Sequence, residues 1–314
     1  MSKKKTANKN QFGQIKYFAI VLAMLLIGYG IWYFVSKGIS LDGTSIMSTD
    51  DSNVSGSSSA IGETVVRVLD IGQGDCILIT TPGEKHVLID AGDIKNKGAV
   101  TSKLKKFGVN KIEYALFTHP HSDHIGAAVN IINDCKIKNV FLPNAVNTSA
   151  TYKNMMSALE KHTEIKVYQA KAGKKFSVDN VNFEILSPIN DEYDDLNGYS
   201  IVLKLDYGNF SMIFMGDAEK ENENELLKKY KTLDCDVIKI GHHGSKTSST
   251  LPFIAAISPK HAIISCGKNN DYGHPNEETL KTLKKLNVSI YRTDLNGTIT
   301  VRTNGEKITL SKEK

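Results

Sequence analysis

The sequence predicts an α/β domain in which two β-sheets pack face to face and helices cover their outer surfaces. From residue 63 onward, apolar spacing switches repeatedly between period two and period 3.6, the signatures of strand and helix. The strand-like stretches fall into two strand-rich halves. The residues with most chemical character stand where an apolar run stops, as they do when loops at strand ends carry a ligand site.

Strands are predicted over 64–69, 76–80 and 87–89, divided by Gly-rich or Pro-Gly turns. A helix over 97–107 stops at Gly108. A strand over 112–117 leads to a helix over 124–133, a strand over 139–142 and a helix over 151–162. Strands follow at 165–169, 181–186, 199–205 and 210–215. A helix over 219–230, a strand over 237–240, a short helix over 251–257 and a strand over 262–265 come next. A helix over 276–286 and strands over 289–291 and 298–301 close the domain, with no repeat of fixed period.

Before this domain the composition differs. Residues 1–16 are basic and polar and read as a cytoplasmic tail. Residues 17–35 carry no charge, a run long enough as a helix to cross ~30 Å of hydrocarbon. Tyr17, Tyr29, Trp32 and Tyr33 lie toward its ends, where amphipathic rings favour the membrane interface. Lysines precede the span, so the positive-inside rule puts the N-terminus in the cytoplasm and the rest outside, as a single-pass cell-membrane protein. A cleaved signal peptide is the competing reading, but the run is long for one and no small-x-small cleavage site follows closely. Residues 36–62 are rich in Ser, Gly, Asp and Thr and read as a flexible tether. The folded domain then occupies 63–314.

A chain of 314 residues can bury a sizeable core, and a 40% hydrophobic, 23% charged composition excludes bulk disorder. The net charge of +5 is matched by Lys3, Lys4, Lys5, Lys9 and Lys16, so the remainder beyond residue 16 is near zero and the basic pI reports on the N-terminal tail. The four cysteines are widely spaced without a C-x-x-C pair, which argues against a cysteine-built zinc knuckle or disulfide scaffold.

The chemistry concentrates in Thr118-His119-Pro120-His121-Ser122-Asp123-His124, directly after an apolar run. Imidazoles and a carboxylate this dense are costly to bury unless positive charge sits between them, and they are the nitrogen and oxygen ligands of divalent metals. Other strand ends add Asp90, Asp217, the His242-His243 pair and His274. His86, His162 and His261 fall elsewhere and read as structural or solvated. No nucleophilic-serine elbow and no Walker-type phosphate loop are present.

The H-x-H-x-D-H pattern from His119 to His124 resembles the signature of the metallo-β-lactamase superfamily, with Asp90, Asp217 and His242-His243 matching its other metal-site positions in order. Asp70-Ile71-Gly72-Gln73-Gly74-Asp75, Gly241-His242-His243-Gly244-Ser245-Lys246-Thr247-Ser248 and Tyr272-Gly273-His274-Pro275 resemble, more narrowly, the hydrolase domain of ComEC-type competence proteins. The resemblance covers about residues 64–304 and lacks the many-helix channel of full competence proteins. It implies an αββα sandwich holding two divalent metal ions, Zn or Mn. His119 and His121 would bind one ion and Asp123 and His124 the second, with Asp217 bridging and one histidine of the pair completing the second site. Strand alternation would turn His242 and His243 to opposite faces, and His243 is the favoured ligand with His242 the alternative.

Many superfamily members carry a further histidine before the Asp217 strand; here Asn197 is its nearest equivalent, which makes the first site poorer in nitrogen and manganese a rival to zinc. Asp90 would orient a ligand histidine, or be a strand-end turn residue. His274 would protonate a leaving group, or simply turn the chain before Pro275. Ser245, Lys246 and Ser248 would hold a phosphate, or cap the following helix. The expected activity is metal-dependent hydrolysis of a phosphodiester, single-stranded DNA being one candidate and a teichoic-acid or choline-phosphate envelope diester another. A β-lactamase-type carbonyl hydrolase and a non-catalytic polymer-binding module with a structural metal are the competing classes. No protein partner is evident.

Overall fold

The computed structural model describes residues 62–314. The predicted tail, membrane span and nearly all of the tether lie outside the described residues. Among the described residues, no helix is long and apolar enough to cross a membrane.

The period-two stretches become strands whose alternate side chains face opposite sides. β1 (Thr64–Val68), β2 (Ile77–Thr80) and β3 (His86–Ile89) run antiparallel. β4 (Lys111–Leu116), β5 (Lys136–Leu142) and β6 (Lys166–Gln169) then add in parallel. Parallel pairing needs a crossover. These are α1 (Lys97–Lys106), α2 (Ser122–Ile125) with α3 (Ala128–Asp134), and α4 (Ala150–Lys161). The second half repeats the plan. β7 (Lys175–Val178), β8 (Val181–Ser187), β9 (Val202–Tyr207) and β10 (Phe210–Phe214) form an antiparallel meander. β11 (Val237–Lys239), β12 (His261–Ile264) and β13 (Ser289–Arg292) add in parallel through α5 (Lys220–Lys229), α6 (Leu251–Ile257) and α7 (Glu277–Lys285). After α8 (Thr293–Asn296), the hairpin of β14 (Ile299–Thr303) and β15 (Ile308–Lys312) pairs with β1. The sheets are therefore ordered β15-β14-β1-β2-β3-β4-β5-β6 and β13-β12-β11-β10-β9-β8-β7.

Three apolar layers hold this αββα sandwich together. Val66, Val68, Ile77 and Ile79 of one sheet meet Phe183, Ile185, Leu203 and Phe214 of the other. Leu78, Leu88 and Ile112, on the outer face of the first sheet, pack under α1, α3 and α4. Ile213, Ile238 and Ala262 do the same under α5, α6 and α7.

Several boundaries differ from the sequence expectation for local reasons. The helix expected over 124–133 is broken at Gly126-Ala127, because Gly126 lies on the backbone of residues 92–94. Its N–H donates to the Gly92 carbonyl at 2.7 Å, and a Cβ there would overlap Asp93 and Ile94. The strand expected over 199–205 begins later, at Val202. Asp195 caps a 3₁₀ turn over Leu196–Tyr199, its Oδ1 accepting from the Asn197 N–H at 2.7 Å. β7 and β15, absent from the sequence reading, are outermost strands of only four and five residues; Phe176 and Val178, and Ile308 and Leu310, do alternate with polar residues, but over runs too short to stand out. All four cysteines are free thiols.

One buried ion pair ties the sheets together beneath their loop-bearing edge. Lys239, on the inward face of β11, is fully buried, and its ammonium lies 2.6 Å from Asp75 Oδ2 in the loop before β2. It also donates to the Ile240 carbonyl at 2.8 Å. Burial by itself would raise the Asp75 pKa. Lys239 and then His243 overcome it and hold the carboxyl at about 2. Removing one partner strands the other charge in the core. Lys239→Met should therefore lower stability by about 3–5 kcal/mol in denaturant titration of the metal-free chain, and Lys239→Met/Asp75→Leu should recover most of it.

Candidate metal centre

The loops that follow β3, β4, β10, β11 and β12 converge with the loop before β2, and the predicted ligands meet there. Asp90 leaves β3 with φ of 61° and is fully buried. Its Oδ1 accepts from the Thr118 N–H and its Oδ2 from the Thr118 hydroxyl, both at 2.7 Å. Oδ2 also lies 2.7 Å from His124 Nδ1. That contact turns the far nitrogen, Nε2, toward Asp217. Asp123 and His124 sit on α2, whose approach to the loop before β2 depends on Gly74. With φ of 106°, Gly74 packs against the Asp123 carbonyl, where any Cβ would overlap it. The Asp75 N–H donates to that carbonyl at 3.2 Å.

Asp217, on the loop after β10, is buried with its oxygens aimed at different rings. Oδ1 lies 3.2 Å from His124 Nε2 and 3.5 Å from His243 Nε2. Oδ2 lies 3.7 Å from His119 Nε2 and 3.8 Å from His242 Nε2. His243 Nε2 also lies 3.4 Å from Asp123 Oδ2, and its Nδ1 lies 2.9 Å from the Ser265 carbonyl. His121 Nδ1 sits 3.0 Å from His119 Nε2.

The expectation that His242 and His243 face opposite ways rested on strand geometry, and the backbone overturns it. β11 ends at Lys239, and Gly241–Gly244 form a tight turn in which both histidines are left-handed, with φ of 45° and 52°. Both rings consequently reach Asp217. Non-glycine residues in this region cost on the order of 1 kcal/mol or more and persist where the surroundings demand them.

The donor set fits divalent cations. Ligand atoms of Asp123, His124, Asp217 and His243 all lie within 4.8 Å of one another. Asp217 Oδ1 is buried without an aligned hydrogen-bond donor among the described residues, although two ring nitrogens stand within 3.5 Å. His124 Nε2 and His243 Nε2 face each other at 3.3 Å, a contact that two lone pairs cannot tolerate without a proton or cation between them. A second group, Asp75, Asp90 and His124, is equally compact, but the Lys239 ammonium already supplies its positive charge.

Electrostatics agree. Burial works against charge on His124 and His243, yet Asp217, joined by Asp90 and Asp123 at His124 and by Asp123 and Asp75 at His243, raises both well above the usual imidazole value. Burial would likewise raise Asp217, and His124 and His243 hold it well below the carboxylate range. Asp123 is lowered too: His124 and a hydrogen bond from His243 outweigh its burial. His119 moves the other way, lowered by burial and then by His124.

A cleft of about 290 Å³ opens over these groups, with Asp123, Asp217, His242 and His243 in its wall. Asn197 also lines it; its Nδ2 donates to Glu219 Oε1 at 3.2 Å and its Oδ1 has no partner among the described residues. Tyr272 stands exposed at the rim, stacked on His274 with centroids 5.7 Å apart. Burial, then His243 and His242, lower His274 to about 4, so its ring is neutral near pH 7 and poorly matched to the acid role expected of it. Ser245, Lys246 and Ser248 do not line the cleft. Ser248 Oγ donates to the Gly241 carbonyl at 2.8 Å and Ser245 Oγ pairs with Thr247 Oγ1 at 2.9 Å, so both hydroxyls brace the histidine turn. Sequence reasoning missed Glu219 and Lys239, whose carboxylate and ammonium act on ligand-bearing loops from elements whose meeting no local pattern reveals, and gave no role to Thr118, although it opens the histidine stretch.

Fold and donor set together define a metal-dependent hydrolase built on a β-sandwich edge. The chain belongs to the metallo-β-lactamase superfamily, whose family model matches residues 69–268. It is 33% identical over 255 residues to ComE operon protein 3 of Bacillus subtilis (strain 168), covering 76% of this chain and 33% of that protein. It is 30% identical over 239 residues to Competence protein ComA of Neisseria gonorrhoeae, covering 76% of this chain and 32% of that protein. The chain thus spans about a third of the length of these relatives, and the resemblance to ComEC-type competence proteins lies in this hydrolase domain. Among solved structures, CmlA, a diiron β-hydroxylase from Streptomyces venezuelae, shares the fold at a TM-score of 0.53 and 14% identity, covering 77% of this chain and 54% of that chain.

Metal ligation requires deprotonated imidazole. His124 and His243 have folded values above the ordinary 6.5, so both hold protons below 6.5 and lose them only as pH rises through the raised values. Cation binding near pH 7 must then displace protons. Calorimetric titration of Mn²⁺ into the full-length chain, in buffers of different ionisation enthalpy, should show release of about one to two protons and an affinity that climbs with pH. Binding without proton release at pH 7 would show that both rings are neutral beforehand.

Proposed function

We propose that the protein is a membrane-anchored phosphodiesterase working with two divalent metal ions, Zn or Mn, outside the cytoplasmic membrane, and that its substrate is single-stranded DNA. The carrying observation is the polar cleft over a carboxylate whose two oxygens face separate pairs of imidazoles. On this reading His119 and His121 hold one ion, Asp123, His124 and His243 the other, and Asp217 lies between. The ions would supply a lowered pKa for water and charge to offset that building on phosphoryl oxygens.

The chain's own groups do the rest. Asp90 and the Ser265 carbonyl occupy the Nδ1 atoms of His124 and His243, fixing both rings with Nε2 toward the cleft. Asp123, partly exposed and held ionised, accepts a hydrogen bond from the attacking water and orients it. His274, neutral, offers an N–H to a phosphoryl or leaving oxygen. Tyr272, exposed and stacked on His274, gives a π-face on which a base can rest, which supports nucleic acid over an envelope diester.

Full-length chain loaded with Mn²⁺ or Zn²⁺ should cleave labelled single-stranded DNA, and Asp123→Ala or Asp217→Ala should lose roughly 10²-fold or more of the rate. Turnover of a small phosphodiester without DNA cleavage removes the nuclease reading. Nitrocefin hydrolysis at enzyme rates removes the phosphodiesterase. Undiminished function in both variants would favour a binding module instead.

The uncharged run over 17–35, with lysines before it, supports the anchored, outward-facing placement. Protease added to intact cells should digest the domain beyond residue 62, and protection would put it in the cytoplasm.

A further inference from the structure

The first cation position, assigned above to His119 and His121 beside Asp217, has only two nitrogen ligands, and Asn197 at the cleft wall offers an amide in place of an imidazole. Three observations locate a replacement. His242 Nε2 is 3.8 Å from Asp217 Oδ2, the oxygen that also faces His119 at 3.7 Å and not the one facing His124 and His243. His242 Nδ1 lies 2.8 Å from Glu219 Oε1, a carboxylate–imidazole contact that fixes a ring's tautomer and direction. The two consecutive left-handed residues, costly in isolation, are what bring neighbouring rings to the same carboxylate, which an extended strand forbids.

Glu219 is itself held. It begins α5 as the capping residue, with Asn222 Oδ1 accepting from its N–H at 3.2 Å. Its Oε1 accepts from Thr247 Oγ1 at 2.9 Å and from Asn197 Nδ2 at 3.2 Å. Asn197 thus touches the carboxylate that aims His242. Hydrogen bonds from His242, then Thr247, then Asn197 outweigh burial and lower the Glu219 pKa.

We propose that the His242-His243 pair is divided between two cation positions: His243 joins Asp123, His124 and Asp217 Oδ1, while His242 joins His119, His121 and Asp217 Oδ2. Glu219 is the positioning residue for His242, and Asn197 supports Glu219 in place of ligating. The assignment rests on the two-ion reading above and extends it, since there the pair contributed one ligand.

Cation binding separates the two claims. Mn²⁺ titration of the full-length chain, with metal content measured after gel filtration and by electron paramagnetic resonance, should give two ions per chain with a spin-coupled signal. His242→Ala should keep one ion and lose the coupling, and Glu219→Gln should weaken the same ion about 10–100-fold while leaving the other unchanged. Asn197→His in the His242→Ala background should restore the second ion by supplying an imidazole from the cleft-wall position at Asn197. Two ions bound by His242→Ala with unaltered affinity would overturn the assignment, as would one ion in the unmodified chain. Two ions without phosphodiester cleavage would overturn the proposed activity and leave the assignment standing.

Discussion

A carboxylate taken out of water is unfavourable unless positive charge is shared with it. Asp217 is in that position, 2% exposed, with four imidazoles around its two oxygens and, among the described residues, no lysine or arginine salt-bridged to it. In the metal-free chain, against the effect of burial, Asp217 and the neighbouring carboxylates raise His124 and His243 well above the ordinary imidazole value, which favours protons on the rings. Those protons occupy the electrostatic role of a cation at the same place. The arrangement is thus conditionally stable, and the condition is positive charge at the sandwich edge.

The rest of the architecture serves to hold these groups together against their mutual cost. The antiparallel-then-parallel plan of each half brings strand ends from two sheets to one edge, so that ligands distant in sequence become neighbours. Under them, the Lys239–Asp75 pair pins β11 to the loop before β2, and Asp75 Oδ1 lies 3.5 Å from His243 Nδ1. Asp90 performs a similar service for His124 from β3, and its left-handed backbone is the local cost. Each ring is therefore fixed by its second nitrogen to a separate element, and the set stays aligned without depending on one loop.

Much of this was legible in the chain. The density of His119, His121, Asp123 and His124 after an apolar run has no core explanation, and the position of Asp90, Asp217 and His243 at run ends marked the same edge. What escaped was tertiary. A residue in a tight turn does not obey strand alternation, so one histidine of the pair was set aside although both reach Asp217. Ser245 and Ser248 look like phosphate ligands in sequence, but their hydroxyls are consumed within the turn. β7 and β15 do alternate, Phe176 and Val178 against Lys175 and Ser177, Ile308 and Leu310 against Thr309 and Ser311, but over runs of only four and five residues.

The charge distribution bears on how such a site finds its substrate. The five lysines near the N-terminus equal the formal charge of +5, so residues beyond 16 carry no net positive charge with which to follow a polyanionic backbone. On the phosphodiesterase reading, attraction for a phosphate must then arise within the cleft, from the cations and from neutral donors such as His274. Such attraction is short-ranged, screened beyond about 8–10 Å at ordinary salt, and it disappears with the metal. A flexible or single-stranded diester that can enter the cleft suits this arrangement, whereas a rigid duplex needing a long charged track does not.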